Sequence, residues 1–331
     1  MNPAMLTDTV AEADRQAREE KLFLQHVVLG LSLTPKALSS RYFYDAVGSR
    51  IFEEIMALPE YYLTRSEASI LSARREEILE AMDGGLIHLI DLGAGNGEKT
   101  RFLIDHFHAW GSLINYVPVD ISGEALRHLA RNLLRDFPGL KVKPLEDGYL
   151  RGLDRFRPDP RGKRLVLFLG SNIGNFGRAE SVRFLRDIRA RLAPGDGLLV
   201  GFDLRKHPET ILRAYDDAAG VTARFNLNLL ERINRELEGD FDLGAFRHQA
   251  VYDDEDGAAR SYLVSLASQQ VHIGKARRSF AFGAGEAVHT ENSYKFSRVE
   301  IAGMAHAAGF RIEAEFTDNR GYFLDSLLRV P

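Results

Sequence analysis

Short apolar runs alternate with longer amphipathic segments between residues 86 and 203 of this chain. Five such runs are typical of buried strands and occupy residues 86–90, 114–119, 141–145, 165–169 and 198–202. Between them, residues 122–136 and 179–192 carry apolar side chains at helical spacing. Strands and helices in this order predict an α/β fold with a doubly wound, mostly parallel sheet and right-handed crossovers.

The pattern changes near residue 206 and changes again near residue 299. Residues 207–213 and 226–237 are predicted to be helices, and the alternating segments 259–271 and 279–288 are predicted to be antiparallel strands. A helix at 299–308 then precedes strands at 311–316 and 322–330, which indicates a closing antiparallel hairpin. The middle segment therefore reads as an insert of different character.

An aromatic-rich segment, residues 33–62, precedes the alternating part of the chain. Three adjacent aromatic residues, Tyr42, Phe43 and Tyr44, cannot all be buried on one face of a helix or strand, so some must line a cleft or pack under a loop. The alternative is that these rings only fill the core. After this segment, Thr64 and Glu67 have the spacing of a capping box and predict a helix over 64–80.

The first strand of the alternating part ends in a glycine-rich turn, D-x-G-x-G-x-G, with glycines at 93, 95 and 97. A dinucleotide-binding turn would need its third glycine at position 98, where Glu98 would repel a pyrophosphate. The phosphate-binding pattern G-x-x-x-x-G-K-[ST] does not occur in the sequence. The turn suits S-adenosylmethionine (SAM), which has no phosphate; the alternative is a plain strand–helix connection.

Composition narrows the range of partners. A net charge of −4 and a pI near 6.2 argue against electrostatic binding of nucleic acid. The chain has no cysteine, which excludes disulfides and thiolate metal sites. We see no signal peptide and no apolar run of membrane-spanning length. We therefore expect a cytoplasmic protein that binds a small molecule, without nucleic acid, membrane or metal.

Polar residues follow the predicted strands where ligands bind in open α/β sheets. They are Asp91 after the first strand, Asp120 after the second, residues 147–149 after the third, residues 170–175 after the fourth and Asp203 after the fifth. We expect Asp120 to accept hydrogen bonds from a ribose; the alternative is a turn or cap residue. Asn175 offers a donor and an acceptor to a substrate amine and carboxylate, unless it caps the helix near Arg178.

Several longer motifs together resemble the histidine Nα-methyltransferases of ergothioneine biosynthesis. The resemblance extends from about residue 20 to the end of the chain, through residues 42–49 (YFYDAVGS), 58–65, 168–175 (FLGSNIGN), 214–222 and 291–296 (ENSYKF). It implies a Rossmann-like, class I SAM methyltransferase fold. In this fold a seven-stranded, mostly parallel sheet with a C-terminal antiparallel hairpin accompanies a discontinuous α+β substrate domain.

The resemblance also implies domain boundaries and an activity. Residues 66–205 and 295–331 would form the SAM-binding domain, residues 14–65 and 206–294 the substrate domain, and residues 1–13 a flexible segment. The implied reaction is SAM-dependent Nα-methylation of L-histidine to the trimethylated betaine hercynine. We expect the protein to be a monomer. Two alternatives are an Nα-methyltransferase for another amino acid and a SAM-binding protein without turnover.

The resemblance assigns the methyl donor to seven residues: Gly93, Gly95, Lys99, Asp120, Asp147, Gly148 and Tyr149. The usual G-D-[FY] of the family appears here as Asp147-Gly148-Tyr149, with the first two residues exchanged.

The resemblance also supplies the substrate contacts. Asn175 and Tyr215 would hold the α-amine and α-carboxylate, Tyr61 and Tyr44 would close the pocket, and Phe52 would line it. Asn175, Tyr44 and Tyr61 are the predicted catalytic residues.

Glu291 and Ser293 would hold the imidazole, whose two nitrogens are a donor and an acceptor. On a strand, residues two apart project from one face. Glu291 could instead form a peripheral ion pair with Lys295 or an arginine. Two positions depart from the family, Ser261 in place of a larger residue, typically Met, and Asn172 in place of Thr. Both could loosen the pocket.

Overall fold

The computed structural model describes the backbone from Pro3 to Pro331 and the side chains from Ala17 onward. The helices of this part are α1 (Pro3–Ser32), α2 (Ala46–Ala57), α3 (Tyr62–Ala81), α4 (Arg101–Ala109), α5 (Gly123–Asp136), α6 (Tyr149–Arg155), α7 (Arg178–Arg189), α8 (Pro208–Tyr215), α9 (Val221–Leu237) and α10 (Arg298–Ala307). Residues 1–13, which are predicted to be flexible, have side chains outside the described part of the chain, so their flexibility stays a prediction.

The strands occur in two groups along the chain. They are β1 (Ile87–Leu92), β2 (Leu113–Asp120), β3 (Leu145–Glu146), β4 (Lys163–Phe168), β5 (Gly197–Asp203), β6 (Phe246–Asp253), β7 (Ala258–Ser265), β8 (Gln269–Ile273), β9 (Arg278–Phe282), β10 (Ala287–Tyr294), β11 (Arg311–Thr317) and β12 (Phe323–Arg329).

The chain divides into two compact units, each made of two separate segments. The insert unit comprises Met1–Tyr61 and His207–Asn292, and the sheet unit comprises Tyr62–Lys206 and Ser293–Pro331. The predicted domain boundaries lie between residues 65 and 66, between 205 and 206, and between 294 and 295. What each segment binds stays a prediction.

The sheet unit contains a seven-stranded sheet in the order β11-β12-β5-β4-β1-β2-β3. Strands β3, β2, β1, β4 and β5 pair in parallel, whereas β12 is antiparallel to both β5 and β11. Every residue of β1, β5 and β12 is buried, as expected for central strands covered by helices on both faces. The predicted mostly parallel sheet with a closing antiparallel hairpin is confirmed.

Helix ends in the sheet unit follow from local sequence. The Ser122 hydroxyl accepts a hydrogen bond from Ala125 N at 3.2 Å and starts α5, as predicted. Ser297 and Glu300 form a capping box at the start of α10. The capping box predicted at Thr64 and Glu67 is wrong, because α3 already begins at Tyr62 and the buried Glu67 carboxylate has other partners.

The insert unit is an α+β assembly. Strands β10, β7 and β6 form a three-stranded sheet, and β8 and β9 form a separate hairpin. Helix α9 packs on α2 and against β6 and β7. A bridge between Ala37 and His289 joins the two segments of this unit.

Several elements differ from the sequence prediction. The predicted strand 259–271 is two strands, β7 and β8, and the predicted strand 279–288 spans β9 and the start of β10. Apolar–polar alternation continues through the connecting turns, so periodicity alone does not locate them. Strand β6 and helices α2 and α6 were not predicted. Asp45 is the N-cap of α2, and its carboxylate accepts a hydrogen bond from Gly48 N at 2.7 Å.

The structure contains no helix that is both long enough and apolar enough to cross a membrane, within the residues it describes.

Candidate active site

The glycine turn follows β1 and exposes backbone at the carboxyl end of the sheet. Gly93, Gly95 and Gly97 have φ values of 78°, 53° and 71°, a region that favours glycine. A Cβ on Gly97 would lie 2.4 Å from Leu129, so this glycine is also needed for packing on α5. A Cβ on Gly95 would meet no atom within 4 Å, so the turn faces open space there. Such a turn leaves room for a ligand beside the backbone.

Asp120 holds the turn from the end of β2. Its half-buried carboxylate accepts hydrogen bonds from Gly95 N at 3.1 Å and from Ser122 N at 2.9 Å. Asp120 therefore does stabilise the turn that follows β2, which was the alternative prediction, and it also contacts the glycine turn. Because a carboxylate offers about four acceptor positions, Asp120 retains capacity for ribose hydroxyls. The residues of the turn and Asp120 thus fit a nucleoside such as that of SAM.

The third strand end brings Asp147, Gly148 and Tyr149 beside this turn. Asp147 N donates to Asp120 O at 3.1 Å, and the Tyr149 ring lies 3.4 Å from the position of a Cβ on Gly93. The Asp147 carboxylate accepts from Gly148 N and pairs with Arg151 at 2.7 Å and Arg155 at 3.3 Å. The three residues at this strand end that are predicted to bind the methyl donor therefore lie next to Gly93 and Asp120.

Asp91 has a structural position that its place in the motif does not reveal. Its side chain is 2% exposed and accepts hydrogen bonds from Thr100 Oγ1 at 2.6 Å and Tyr116 OH at 2.8 Å. Burial raises the pKa of this carboxyl to about 6, although both hydrogen bonds oppose the shift. Asp91 therefore anchors the base of the turn inside the protein.

The segment after β4 has an unusual backbone. Gly170 and Ser171 both have positive φ, at 75° and 56°, and residues 172–175 form a short 3-10 turn. The Asn172 amide lies 3.6 Å from the position of a Cβ on Gly93, so this side chain faces the glycine turn. Asn175 is half-buried and does not cap α7, because Gly177 is the N-cap of that helix. The capping alternative for Asn175 is thus wrong.

Glu67 is a buried residue that the sequence analysis assigned to a helix cap. Its carboxylate accepts from Gly170 N at 2.7 and 3.0 Å and forms an ion pair with Lys99 Nζ. The predicted donor-binding residue Lys99 is therefore held by Glu67 beside the segment that carries Asn175. No local sequence signal distinguishes this role from capping, because the partners lie far along the chain in the loops that follow β1 and β4.

A second buried network surrounds Asp203 at the end of β5. Its carboxylate pairs with Lys295 at 2.9 Å and with Lys206, and it accepts from Tyr62 OH at 2.9 Å. Burial opposes ionisation, but the two lysines outweigh it and hold the pKa of Asp203 below its usual value. Lys295 Nζ also donates to Ser293 Oγ at 2.8 Å. Ser293 is thus anchored to this network.

The insert unit brings most of the predicted aromatic residues together in what we call the aromatic cluster. It comprises Tyr44, Phe52, Tyr61, Tyr215 and Phe225, with ring centroids 5.3 to 6.4 Å apart along the contacts. Tyr61 and Tyr215 are 8% exposed, whereas Tyr44 is 36% exposed. The sequence analysis missed Phe225, because it began the helix at residue 226 whereas α9 begins at Val221.

The remaining predicted substrate residues lie on strands. Ser261 on β7 is 1% exposed, and its carbonyl oxygen accepts from Thr290 Oγ1 on β10 at 2.9 Å. Glu291 follows Thr290 on β10 and is half-buried. The structure therefore places Ser261 and Glu291 on neighbouring strands of one sheet.

Comparison with known proteins gives a consistent result along nearly the whole chain. Residues 23–330 match the family described as "Histidine-specific methyltransferase, SAM-dependent". The histidine N-alpha-methyltransferase of Mycolicibacterium smegmatis is 39% identical over 320 residues, which cover 96% of this chain and 95% of that protein. The protein of the same name from Mycobacterium tuberculosis is 40% identical over 298 residues, with 90% and 91% covered.

A third relative is longer than this chain. Ergothioneine biosynthesis protein 1 of Schizosaccharomyces pombe is 32% identical over 293 residues, which cover 86% of this chain and 38% of that protein. The matched region in each case includes segments of both units. The chain belongs to the family of SAM-dependent, histidine-specific methyltransferases.

Proposed function

We propose that this protein methylates the α-nitrogen of L-histidine with SAM, up to the trimethylated betaine hercynine, as a step of ergothioneine biosynthesis. The observation that carries the proposal is the family match over residues 23–330, which includes the glycine turn, residues 170–175 and the aromatic cluster. The degree of methylation and the roles of individual residues rest on the resemblance.

On the donor side, we assign SAM to the glycine turn and its neighbours. SAM supplies a methyl group on a positively charged sulfur, which an amine lone pair can attack directly. Gly93 and Gly95 would let the donor approach the backbone, and Asp120 would accept from its ribose. Lys99 would face its carboxylate, and Asp147, Gly148 and Tyr149 would border the adenine. This arrangement is supported by the open space at Gly95 and the remaining acceptor positions of Asp120.

On the acceptor side, the nucleophile must be the neutral amine, because an ammonium has no lone pair. We assign Asn175 to orient this amine and Tyr215 to bind the carboxylate. Holding the reactants in line lowers the activation barrier by several kcal/mol, about 7–11 kcal/mol at best. Transfer forms the carbon–nitrogen bond, breaks the carbon–sulfur bond and leaves S-adenosylhomocysteine. The amine proton leaves to solvent.

Two further groups would select the substrate. Glu291 would accept the imidazole N–H, and Ser293 would contact the other ring nitrogen. The aromatic rings of Tyr44, Phe52 and Tyr61 suit a nitrogen that becomes permanently cationic and more apolar with each transfer, because aromatic faces attract such cations.

The test is to incubate the protein with SAM and each amino acid separately and to follow the product mass. Histidine should gain one, two and then three methyl groups, and the other amino acids should stay largely unmodified. Preference for another amino acid would indicate that Ser261 and Asn172 change the substrate that the pocket accepts. Binding of SAM without any turnover would indicate a non-catalytic protein. The cytoplasmic location and the monomeric state stay predictions.

A further inference from the structure

We infer that Glu67 is a positioning residue that holds the Lys99 ammonium and the Gly170 backbone together, and so fixes the donor-binding turn relative to the segment that carries Asn175. This inference rests on the proposed function in one respect, namely that Lys99 contacts the methyl donor. It assigns Glu67 a role that acts through another residue, with no contact of its own to substrate.

The first observation is the geometry of the carboxylate. Glu67 is fully buried on α3, a helix outside the strand-end loops, yet it reaches two of them. Gly170 N donates to its two oxygens at 2.7 and 3.0 Å, and Lys99 Nζ donates to Oε2. The Lys99 nitrogen also lies 3.4 Å from the position of a Cβ on Gly170. One carboxylate therefore joins the loops that follow β1 and β4.

The second observation is that the sheet makes room for this carboxylate. Gly201 on β5 lies directly beneath it, and a Cβ at this position would be 2.2 Å from Glu67 Oε1. Since Gly201 does not have a positive φ, its backbone conformation does not require glycine. The absence of a side chain at position 201 is explained by the space that Glu67, at 2.2 Å, and the Phe323 ring, at 3.0 Å, occupy.

The third observation concerns charge. Asp325 pairs in register with Gly201 and is fully buried, and neither of its carboxylate oxygens has a hydrogen-bond partner among the described residues. Burial, reinforced by the nearby Glu67 carboxylate, raises the pKa of Asp325 well above its usual value. Burial therefore favours the neutral form of Asp325, and the carboxylate that pairs with the Lys99 ammonium is that of Glu67.

These observations show why a neutral substitute should fail. A carboxylate accepts from two donors at once, whereas the amide of glutamine has one acceptor oxygen and an N–H₂ group that would face a donor. In Glu67→Gln an amide oxygen at the Oε2 position can still reach both donors, but the N–H₂ group then replaces Oε1 and faces the Gly170 N–H, and the negative charge opposite Lys99 is lost. Loss of the charge also weakens the hydrogen bonds, because a bond to a charged carboxylate is stronger than a bond to a neutral amide.

The test is a double-mutant cycle on binding of S-adenosylhomocysteine, measured by calorimetry with Glu67→Gln, Lys99→Met and the double variant. We expect Lys99→Met to weaken binding about tenfold in the wild-type background and less than about threefold in the Glu67→Gln background, because Lys99 is then no longer held in place. Effects that simply multiply would overturn the inference, and so would wild-type binding by Glu67→Gln.

A second variant moves Glu67 without changing any charge, and covers the case in which Glu67→Gln does not fold. Gly201→Ala should displace the carboxylate and weaken S-adenosylhomocysteine binding by about threefold to tenfold. The matched control is Gly303→Ala on α10, where a Cβ meets nothing within 4 Å, and its binding should stay at the wild-type value. A folded Gly201→Ala protein that binds like wild type would refute the role of Glu67.

The control on the same helix is Glu77→Gln, since Glu77 is exposed and pairs with the exposed Arg74 at 2.7 Å. It should bind S-adenosylhomocysteine like wild type. These readouts require no methyl transfer, so they are separate from the test of the proposed function. A protein that binds S-adenosylhomocysteine but methylates no histidine would refute the proposed function and leave the cycle interpretable.

Discussion

The glycine turn of the sheet unit and the aromatic cluster of the insert unit are built by different kinds of contact. The turn is fixed by directional hydrogen bonds, such as those from Gly95 N and Ser122 N to Asp120 at 3.1 and 2.9 Å. The aromatic cluster is held by ring contacts with centroids 5.3 to 6.4 Å apart. Directional bonds locate single atoms, whereas ring contacts define a surface that tolerates small shifts.

This difference predicts how each region responds to change. Substitutions around the turn should act on donor binding, steeply and with a dependence on charge. Substitutions in the insert unit should change the KM for histidine. Among them, substitutions in the aromatic cluster should have smaller effects. The four predictions below test this contrast, beginning with the largest expected effect.

The strongest dependence on charge should appear at Asp91. Its folded-state pKa is about 6, above the ordinary value of 3.8, so this group stabilises the fold fully only below about pH 3.8 and loses that contribution as pH rises to about 6. Asp91→Asn does not titrate. The free energy of unfolding of the variant relative to wild type should therefore rise by about 3 kcal/mol from about pH 3 to about pH 7.

Urea unfolding followed by the fluorescence of Trp110, the single tryptophan, measures this difference in the sheet unit. Other titrating groups are common to both proteins and cancel in the comparison. Asparagine can still accept from Thr100 or Tyr116, so the shape of the site is kept. An unchanged difference between the two pH values would show that folding does not raise the pKa of Asp91.

The next largest effect should be on donor binding at Asp120. Asp120→Ala removes the acceptor for two backbone N–H groups and the proposed ribose contact. We expect the Kd for S-adenosylhomocysteine to rise about 100-fold, close to 3 kcal/mol. Calorimetry provides the measurement, and Asp120→Asn, which keeps one acceptor, should be affected less. A change below about tenfold would place the ribose elsewhere.

A smaller effect, directed at the other substrate, is expected for Glu291. Glu291→Ala would leave an imidazole N–H without its partner, at a cost of about 1–3 kcal/mol. We expect the KM for histidine to rise about 30-fold and the KM for SAM to change less than about twofold. Steady-state kinetics with each substrate varied in turn would show this. Equal effects on both constants would remove Glu291 from the imidazole site.

The smallest effect should come from the aromatic cluster. Phe52 contacts Tyr44, Tyr61 and Phe225, and Phe52→Leu keeps an apolar side chain while it loses the ring geometry. We expect a rise of about fivefold in the KM for histidine, in line with about 1 kcal/mol for an aromatic contact. Binding of S-adenosylhomocysteine should stay unchanged. A loss of donor binding instead would contradict the separation of roles between the two regions.

Sequence patterns predicted the sheet unit well, because strand, turn and helix there follow one another locally. The apolar runs, the glycines at 93, 95 and 97 and the Ser122 cap all lie within short windows. Resemblance added residues of the aromatic cluster, which come from separate segments and share no local pattern.

Other features could not be read from local sequence. Glu67 matches a capping box in spacing, but its partners Lys99 and Gly170 become neighbours only when the sheet forms. The division of residues 259–271 into β7 and β8 depends on pairing with β6 and β9, which periodicity does not record. Long-range pairing overrides local preference in both cases.

The position of β12 in the sheet has a consequence for synthesis on the ribosome. This strand lies between β5 and β11, yet residues 323–329 are translated after every other strand. Until they emerge, β5 presents an unpaired apolar edge that could pair with another nascent chain. Nascent chains that stall before residue 323 should therefore depend on chaperones, and release of the last strand should remove that dependence.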